Sequence, residues 1–87
     1  MSRLQAMREQ LTKLNPSFVE IIDESHKHAG HAGSRDGGGH YLLQIISTEF
    51  AGKGTLARHR MVYLALGEMM KCEIHALNIQ ANTPDEL

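Results

Sequence analysis

The sequence predicts an α+β domain in which helices cover one face of a three-stranded mixed sheet. Apolar residues recur at helical spacing near the N-terminus and again after residue 55, and three short apolar segments have the composition of strands. The elements therefore follow the order α, β, β, α, β. A strand, a crossover helix and a second strand favour one parallel pair, while the first two strands can pair antiparallel. We expect two layers, with the other face of the sheet partly open.

Length and composition limit the kinds of function that the chain can have. A chain of 87 residues predicts one domain, residues 1–87, with a thin core and little room for a deep pocket. Its formal net charge of -1 gives no overall field that would attract a polyanion. No apolar run approaches the roughly 20 residues of a spanning helix, so no membrane contact is expected. Cys72 is the single cysteine, which excludes an internal disulfide and favours a reducing compartment. We expect a cytoplasmic location, with mitochondria and nucleus as open alternatives.

The first helix and first strand are indicated by spacing and punctuation. Apolar residues at positions 4, 7, 11 and 14 predict an amphipathic helix over residues 2–14, and Ser2 followed by Gln5 forms a capping-box pattern. Asn15 and Pro16 end that helix. The segment FVEIID, Phe18–Asp23, is short and β-branched, and predicts the first strand.

The second half of the chain predicts a strand, a helix and a strand. Residues 41–47 (YLLQIIS) form the second strand, and Thr55 can cap a helix that ends near Met70. Residues 73–81 form the third strand, with His75, Leu77 and Ile79 expected on one face. Pro84 begins a short terminal turn or helix.

The connection between the first two strands contains four of the six histidines, in HKHAGHAGSRDGGGH at residues 26–40. Connections this long are uncommon in a compact domain and are usually functional or disordered. Three interpretations remain open: a solvated flexible loop, a segment that presents one imidazole to a partner, or a zinc, nickel or copper site built by the four histidines His26, His28, His31 and His40. Glycine-rich flanks make the metal site costly to order.

The sequence does not indicate an enzyme. No serine has an identifiable acid or base partner, and the glycine run follows neither the G-x-G-x-x-G nor the Walker pattern. We therefore expect a binding or interaction module.

Several segments together resemble one family. They are ESHKHAG at 24–30, AGS at 32–34, HY at 40–41, RHRMV at 58–62, IHALNIQA at 74–81 and TPDEL at 83–87. In order and spacing they are similar to the BolA family. The resemblance implies a fold like the class II KH domain, although the usual KH GxxG loop is missing here. It also implies a non-enzymatic partner of a monothiol glutaredoxin that shares a 2Fe-2S cluster with it, and in some members a role in transcription.

The resemblance also implies the ligands. His75, in the HAL motif, matches the histidine that ligates cluster iron, and His28 matches the loop ligand of the histidine-type members. The glutaredoxin cysteine and glutathione would supply the thiolates, so the chain alone should be colourless and monomeric or weakly dimeric. His31 is a rival to His28, because it stands where the family commonly has proline and the glycines at 37–39 lengthen the loop. The implied role is iron-sulfur cluster assembly or transfer, or iron sensing.

The alternative is a KH-like nucleic-acid-binding transcriptional regulator that uses the open side of the sheet with Lys53, Arg58 and Arg60. The near-neutral charge balance and the scarcity of aromatic residues on the strands favour the cluster role. His59 lies on the apolar stripe of its helix and is expected to be a buried structural imidazole. Cys72 is expected to be a partly buried structural thiol.

Overall fold

The computed structural model describes residues 2–25 and 39–87. The helices are α1 (Arg3–Leu11), α2 (Thr55–Leu66) and α3 (Met69–Cys72), and the strands are β1 (Phe18–Asp23), β2 (Gly39–Ile46) and β3 (Ile74–Asn82). Short 3₁₀ turns occupy Thr12–Leu14, Thr48–Phe50 and Pro84–Glu86. The predicted α+β fold with a three-stranded sheet is confirmed.

The first helix begins as its capping pattern predicts. The Ser2 hydroxyl accepts a hydrogen bond of 3.1 Å from the Gln5 backbone N–H, which satisfies one of the free donors at the helix start. The α-helix ends at Leu11, and the three residues predicted to continue it form a 3₁₀ turn. Asn15 then adopts a left-handed conformation with φ of 48°, which turns the chain toward β1.

The sheet has the strand order β1-β2-β3, with β1 antiparallel and β3 parallel to β2. The mixed sheet is therefore as predicted. Tyr41 pairs with Leu77, and the register stays regular to the end of β3. It is irregular at the start, where Gly39 pairs with Ile74 and His40 with Ala76. His75 is the extra residue of β3 at this irregularity.

The core lies between the sheet and the first two helices. Leu43 and Ile45 of β2 are fully buried against helical residues that include Leu11 and Val62. Side chains alternate between the faces of a strand, so Phe18 and Ile22 lie on the opposite face, where they remain 44% and 43% exposed. The helices therefore cover one face and leave the other partly open, as predicted.

The second helix is shorter than its pattern indicates. It ends at Leu66 because Gly67 adopts a φ of 57°, and α3 follows as a separate turn. Its N-cap is Gly54, whereas Thr55 was expected to be the cap. Thr55 is instead the first helical residue, and its side chain makes no capping hydrogen bond. Within the described parts of the chain, no helix has the length and apolar character that crossing a bilayer requires.

Candidate functional site

The starts of β2 and β3 lie side by side at one end of the sheet, because the two strands are parallel. Hydrogen bonds from backbone N–H groups fix the residues that flank segment 26–38 at this end of the sheet. The Glu24 backbone N–H donates to the His40 carbonyl at 2.7 Å, and the His40 N–H donates to the Ser25 hydroxyl at 3.1 Å. On the other side, the Gly39 N–H donates to the Glu73 carbonyl at 3.1 Å. The histidine-rich segment therefore leaves and re-enters the fold beside the start of β3.

Two imidazoles meet at this end of the sheet. The rings of His40 and His75 have their centroids 5.0 Å apart and are tilted by 47°. The side chain of His75 is exposed, whereas Ile79, predicted on the same face, is buried. The register irregularity explains the difference, since His75 stands outside the regular alternation of β3. The expectation that His75 shares one face with Leu77 and Ile79 did not allow for this irregularity.

His40 has a different environment from its neighbour. It is half-buried, and its Nε2 atom is shielded from solvent. Of the histidines that the structure describes, His40, His59 and His75, the exposed one is His75. His40 therefore packs beside His75, and His75 offers the accessible imidazole. Sequence inspection missed this contact, because it depends on the parallel register of β2 and β3.

The predicted loop ligand His28, with His26 and its rival His31, lies outside the described residues. Within residues 2–25 and 39–87, no three His, Cys, Asp or Glu side chains are grouped so that they could hold a metal ion. An exposed imidazole on a strand suits an iron atom whose other ligands come from elsewhere, since imidazole replaces thiolate on one iron of Rieske clusters. Among the described residues, His75 could therefore supply one imidazole ligand to such an iron atom.

A cleft of about 430 Å³ begins at His40 and runs along β3. Its lining comprises Glu24, His40, Tyr41, His59 and residues 76–79. A second cleft of about 240 Å³ continues along residues 79–82 and is lined on its other side by Thr55, Arg58 and His59. His59 is half-buried and lines both clefts, so it borders a groove where a fully buried position was expected.

Arg58 is occupied by contacts within the fold. Its guanidinium makes two hydrogen bonds to the Glu86 carboxylate, at 2.6 and 2.8 Å, and donates to the carbonyls of Lys53 and Ala81 at 2.8 and 3.0 Å. The guanidinium hydrogen bonds, together with the Thr83 backbone N–H, lower the pKa of Glu86 to about 2. Arg58 therefore fastens the C-terminal turn to α2 and β3, and its charge is matched.

The BolA-like protein family model matches residues 11–86 of the chain. The chain belongs to the BolA family. In the solved structure of the BolA domain of SufE1 from Arabidopsis thaliana, the matched chain is 42% identical, with a TM-score of 0.86, and the match covers 100% of this chain and 98% of that one. The predicted family and fold are thereby confirmed.

Two curated relatives are longer than this BolA chain. SufE-like protein 1, chloroplastic/mitochondrial, of Arabidopsis thaliana is 44% identical over 92 residues, which cover 99% of this chain and 25% of the relative. The DNA-binding transcriptional regulator BolA of Escherichia coli (strain K12) is 38% identical over 71 residues, covering 82% of this chain and 65% of the relative. The chain thus spans a quarter of one and just under two thirds of the other. The name of the plant relative includes organelles, so a cytoplasmic location remains a prediction.

Proposed function

We propose that this BolA-family chain is a non-enzymatic partner of a monothiol glutaredoxin and completes a bridged 2Fe-2S cluster with His75 and His28. Its role would be cluster assembly or transfer, or iron sensing. The observation that carries the proposal is the exposed His75 beside the two fastened ends of the histidine-rich segment. The partner's cysteine and glutathione would supply the thiolates.

His75 has the properties of a preorganised ligand. It lies in a nine-residue strand between Ile74 and Ala76, which both pair with β2, so little conformational entropy is lost when its imidazole binds iron. The neighbouring His40 ring limits where the His75 ring can turn. A bound cluster would supply one-electron chemistry, and histidine ligation raises its reduction potential relative to an all-thiolate cluster.

Chain connectivity supports His28 as the second ligand. Ser25 is fixed by its hydrogen bond with the His40 backbone, and His28 follows it by three residues. Three residues span at most about 11 Å, which limits how far the chain can carry the His28 backbone from Ser25. His31 follows Ser25 by six residues, and ordering it would cost about 1–2 kcal/mol for each additional residue fixed. His28 is therefore the less costly ligand.

The nucleic-acid alternative is supported by the name of the Escherichia coli relative, a DNA-binding transcriptional regulator. The proposed basic patch is weaker than its sequence suggests, because Arg58 is paired with Glu86. Lys53 and Arg60 remain exposed. If they contact phosphates, log affinity should fall with log salt at a slope of about -2. No salt-dependent binding at low ionic strength would eliminate direct contact.

The cluster proposal is tested by anaerobic reconstitution of the chain with a monothiol glutaredoxin, glutathione, iron and sulfide. We expect visible cluster absorbance in the heterocomplex and nitrogen couplings to iron in its reduced state. His75→Ala should remove the coupling of the strand ligand without unfolding the chain, since the side chain is exposed. Gln80→Ala, an exposed change on the same strand, is the matched control. Identical spectra for wild type and His75→Ala would refute the ligand role.

A further inference from the structure

The strand β3 forms one edge of the sheet, since the strand order is β1-β2-β3. It is nine residues long, and its sequence IHALNIQAN contains no Lys, Arg, Asp or Glu. Soluble proteins usually protect an exposed sheet edge with charged residues, proline or short strands. This edge has none of these along its own sequence.

The hydrogen bonds at the end of β3 establish which of its backbone groups face outward. The Asn82 carbonyl accepts from the Ser47 N–H, on the β2 side, whereas the Ala81 carbonyl accepts from Arg58, on the outer side. Successive residues of a strand direct their N–H and C=O groups to opposite sides. Leu77 and Ile79 therefore share the outward direction of Ala81, because the register between them is regular.

The other edge of the sheet is better protected. The strand β1 has six residues and includes two acidic ones, Glu20 and Asp23. Its outward Val19 carbonyl accepts a hydrogen bond of 3.2 Å from Arg8. On β3 the corresponding hydrogen bond comes from Arg58, which donates to the Ala81 carbonyl near the C-terminal end of the strand. The outward groups of Leu77 and Ile79 lie between this covered end and the histidine pair.

The part of β3 whose outward groups receive no hydrogen bond from a described residue borders the groove formed by the two clefts. Ile79 and His59 line both clefts, so the groove is continuous along the strand, with the first turns of α2 as its opposite wall. Its lining contains two charged residues: Glu24, which has its own interaction within the fold, and Arg58, whose side chain is 12% exposed and matched by Glu86. A charged segment would lose hydration here without gaining a free opposite charge.

We propose that the outer edge of β3 binds an extended, uncharged segment of another protein, which adds to the sheet as a fourth strand. Leu77 and Ile79 would offer two N–H and two C=O groups, which matches about five residues of an added strand. A peptide fits better than a single-stranded nucleic acid, because β3 carries no Phe, Tyr or Trp for base stacking and the nearby Arg58 is already paired.

The groove also specifies the shape of the segment. Alternate side chains of an added strand would face α2, where His59 lines both clefts, so we expect small residues such as Ala, Ser or Val at those positions. One end of the groove reaches His40, so a bound segment lies continuous with the proposed cluster surface. The edge is a feature of the chain alone, and its binding does not depend on a cluster.

The test uses amide hydrogen exchange by NMR on the full chain, with the synthetic peptide acetyl-SVTVS-amide as the probe and no cluster components present. In the low millimolar range of peptide we expect the amide exchange of Leu77 and Ile79 to slow several-fold, because both N–H groups become hydrogen-bonded. The outward amides of Val19 and Ile21 on β1 should be unchanged. An acidic peptide of equal length, acetyl-SEEES-amide, should give a weaker effect.

Two proline variants provide a matched comparison. Leu77→Pro removes an outward N–H from β3 and should weaken peptide binding about three- to tenfold, which is the effect of one hydrogen bond. Val19→Pro removes the equivalent N–H from β1 and should leave peptide binding unchanged. Both native residues are half-buried. Unchanged exchange of Leu77 and Ile79 in the wild-type chain with peptide would overturn the proposal whether or not the variants fold. Slowing of these amides by short oligothymidylate and not by peptide would also overturn it.

Discussion

His40 and His75 are packed ring against ring, with centroids 5.0 Å apart, although 35 positions separate them in the sequence. The contact exists because parallel pairing aligns the starts of β2 and β3. It pairs a half-buried imidazole with an exposed one. Burial therefore distinguishes the two rings: the Nε2 atom of His40 is shielded from solvent, and the His75 side chain is accessible.

We predict that His40→Ala weakens cluster retention without removing the nitrogen signal assigned to His75. The half-buried ring limits the motion of its neighbour, while its own Nε2 is shielded from solvent. His40→Phe restores a ring of similar size and should recover retention. The half-life of the cluster absorbance and the nitrogen couplings provide the two readouts. Loss of a nitrogen coupling in both variants would instead identify His40 as a ligand.

A series of single His→Ala changes at positions 26, 28, 31 and 40 tests the segment itself. We expect the change at 28 to remove the loop nitrogen coupling and destabilise the cluster, since His28 needs fewer newly ordered residues beyond Ser25 than its rival His31 does. The changes at 26 and 31 should have small effects on the cluster. If the change at 31 is the damaging one, His31 and not His28 is the loop ligand. Equal small losses at all four positions would indicate a diffuse metal-attracting tether.

The fold was largely predictable from the sequence, and the site only in part. The strand Phe18–Asp23 and the Ser2 cap were predicted correctly, because both depend on neighbouring residues. The helix boundary at Gly67 was missed, since the apolar stripe continues to Met69 across the break. The exposure of His75 follows from a register irregularity between two distant segments, and no periodicity in one segment can show it.

Gly39 is predicted to be intolerant of a side chain. A Cβ built on Gly39 would overlap the ring and hydroxyl of Tyr41, which is 4% exposed. Gly39→Ala should therefore destabilise the chain by about 1–3 kcal/mol, as overpacking typically does. Gly54→Ala is the control, because a Cβ there meets nothing within 4 Å. Chemical denaturation of both variants checks this, and an equal small loss would contradict it.

Ser47 is predicted to stabilise the junction between β2 and the end of the first helix. Its buried hydroxyl donates to the Leu14 carbonyl at 2.5 Å and accepts from the Glu49 N–H at 3.0 Å. Ser47→Ala leaves these groups without that partner, which should cost about 1–3 kcal/mol of unfolding free energy. Thr48→Ala, at the exposed neighbour, should cost less than about 0.5 kcal/mol. Equal losses would show that the buried hydroxyl has no special role.

The ion pair between Glu86 and Arg58 predicts a pH-dependent contribution to stability. The pKa of Glu86 is lowered from 4.5 to about 2, so its stabilising contribution is full above pH 4.5 and is lost as the pH falls toward 2. Glu86→Gln should therefore lower Tm at neutral pH, and the difference from wild type should shrink as the solution is acidified. Asp85→Asn, at the exposed neighbour, should show no such convergence. A constant Tm difference across this range would contradict the assignment.

The parallel pairing of β2 with β3 makes the histidine pair a late product of folding. The strands β1 and β2 are consecutive in the chain and can meet first, but His75 reaches His40 only after the intervening helices are in place and a long chain closure has been completed. A chain that has formed only the hairpin contains all the residues of segment 26–38 and still lacks the second imidazole. During refolding, the His40–His75 contact should thus appear with the pairing of β2 and β3 and not with the β1–β2 hairpin.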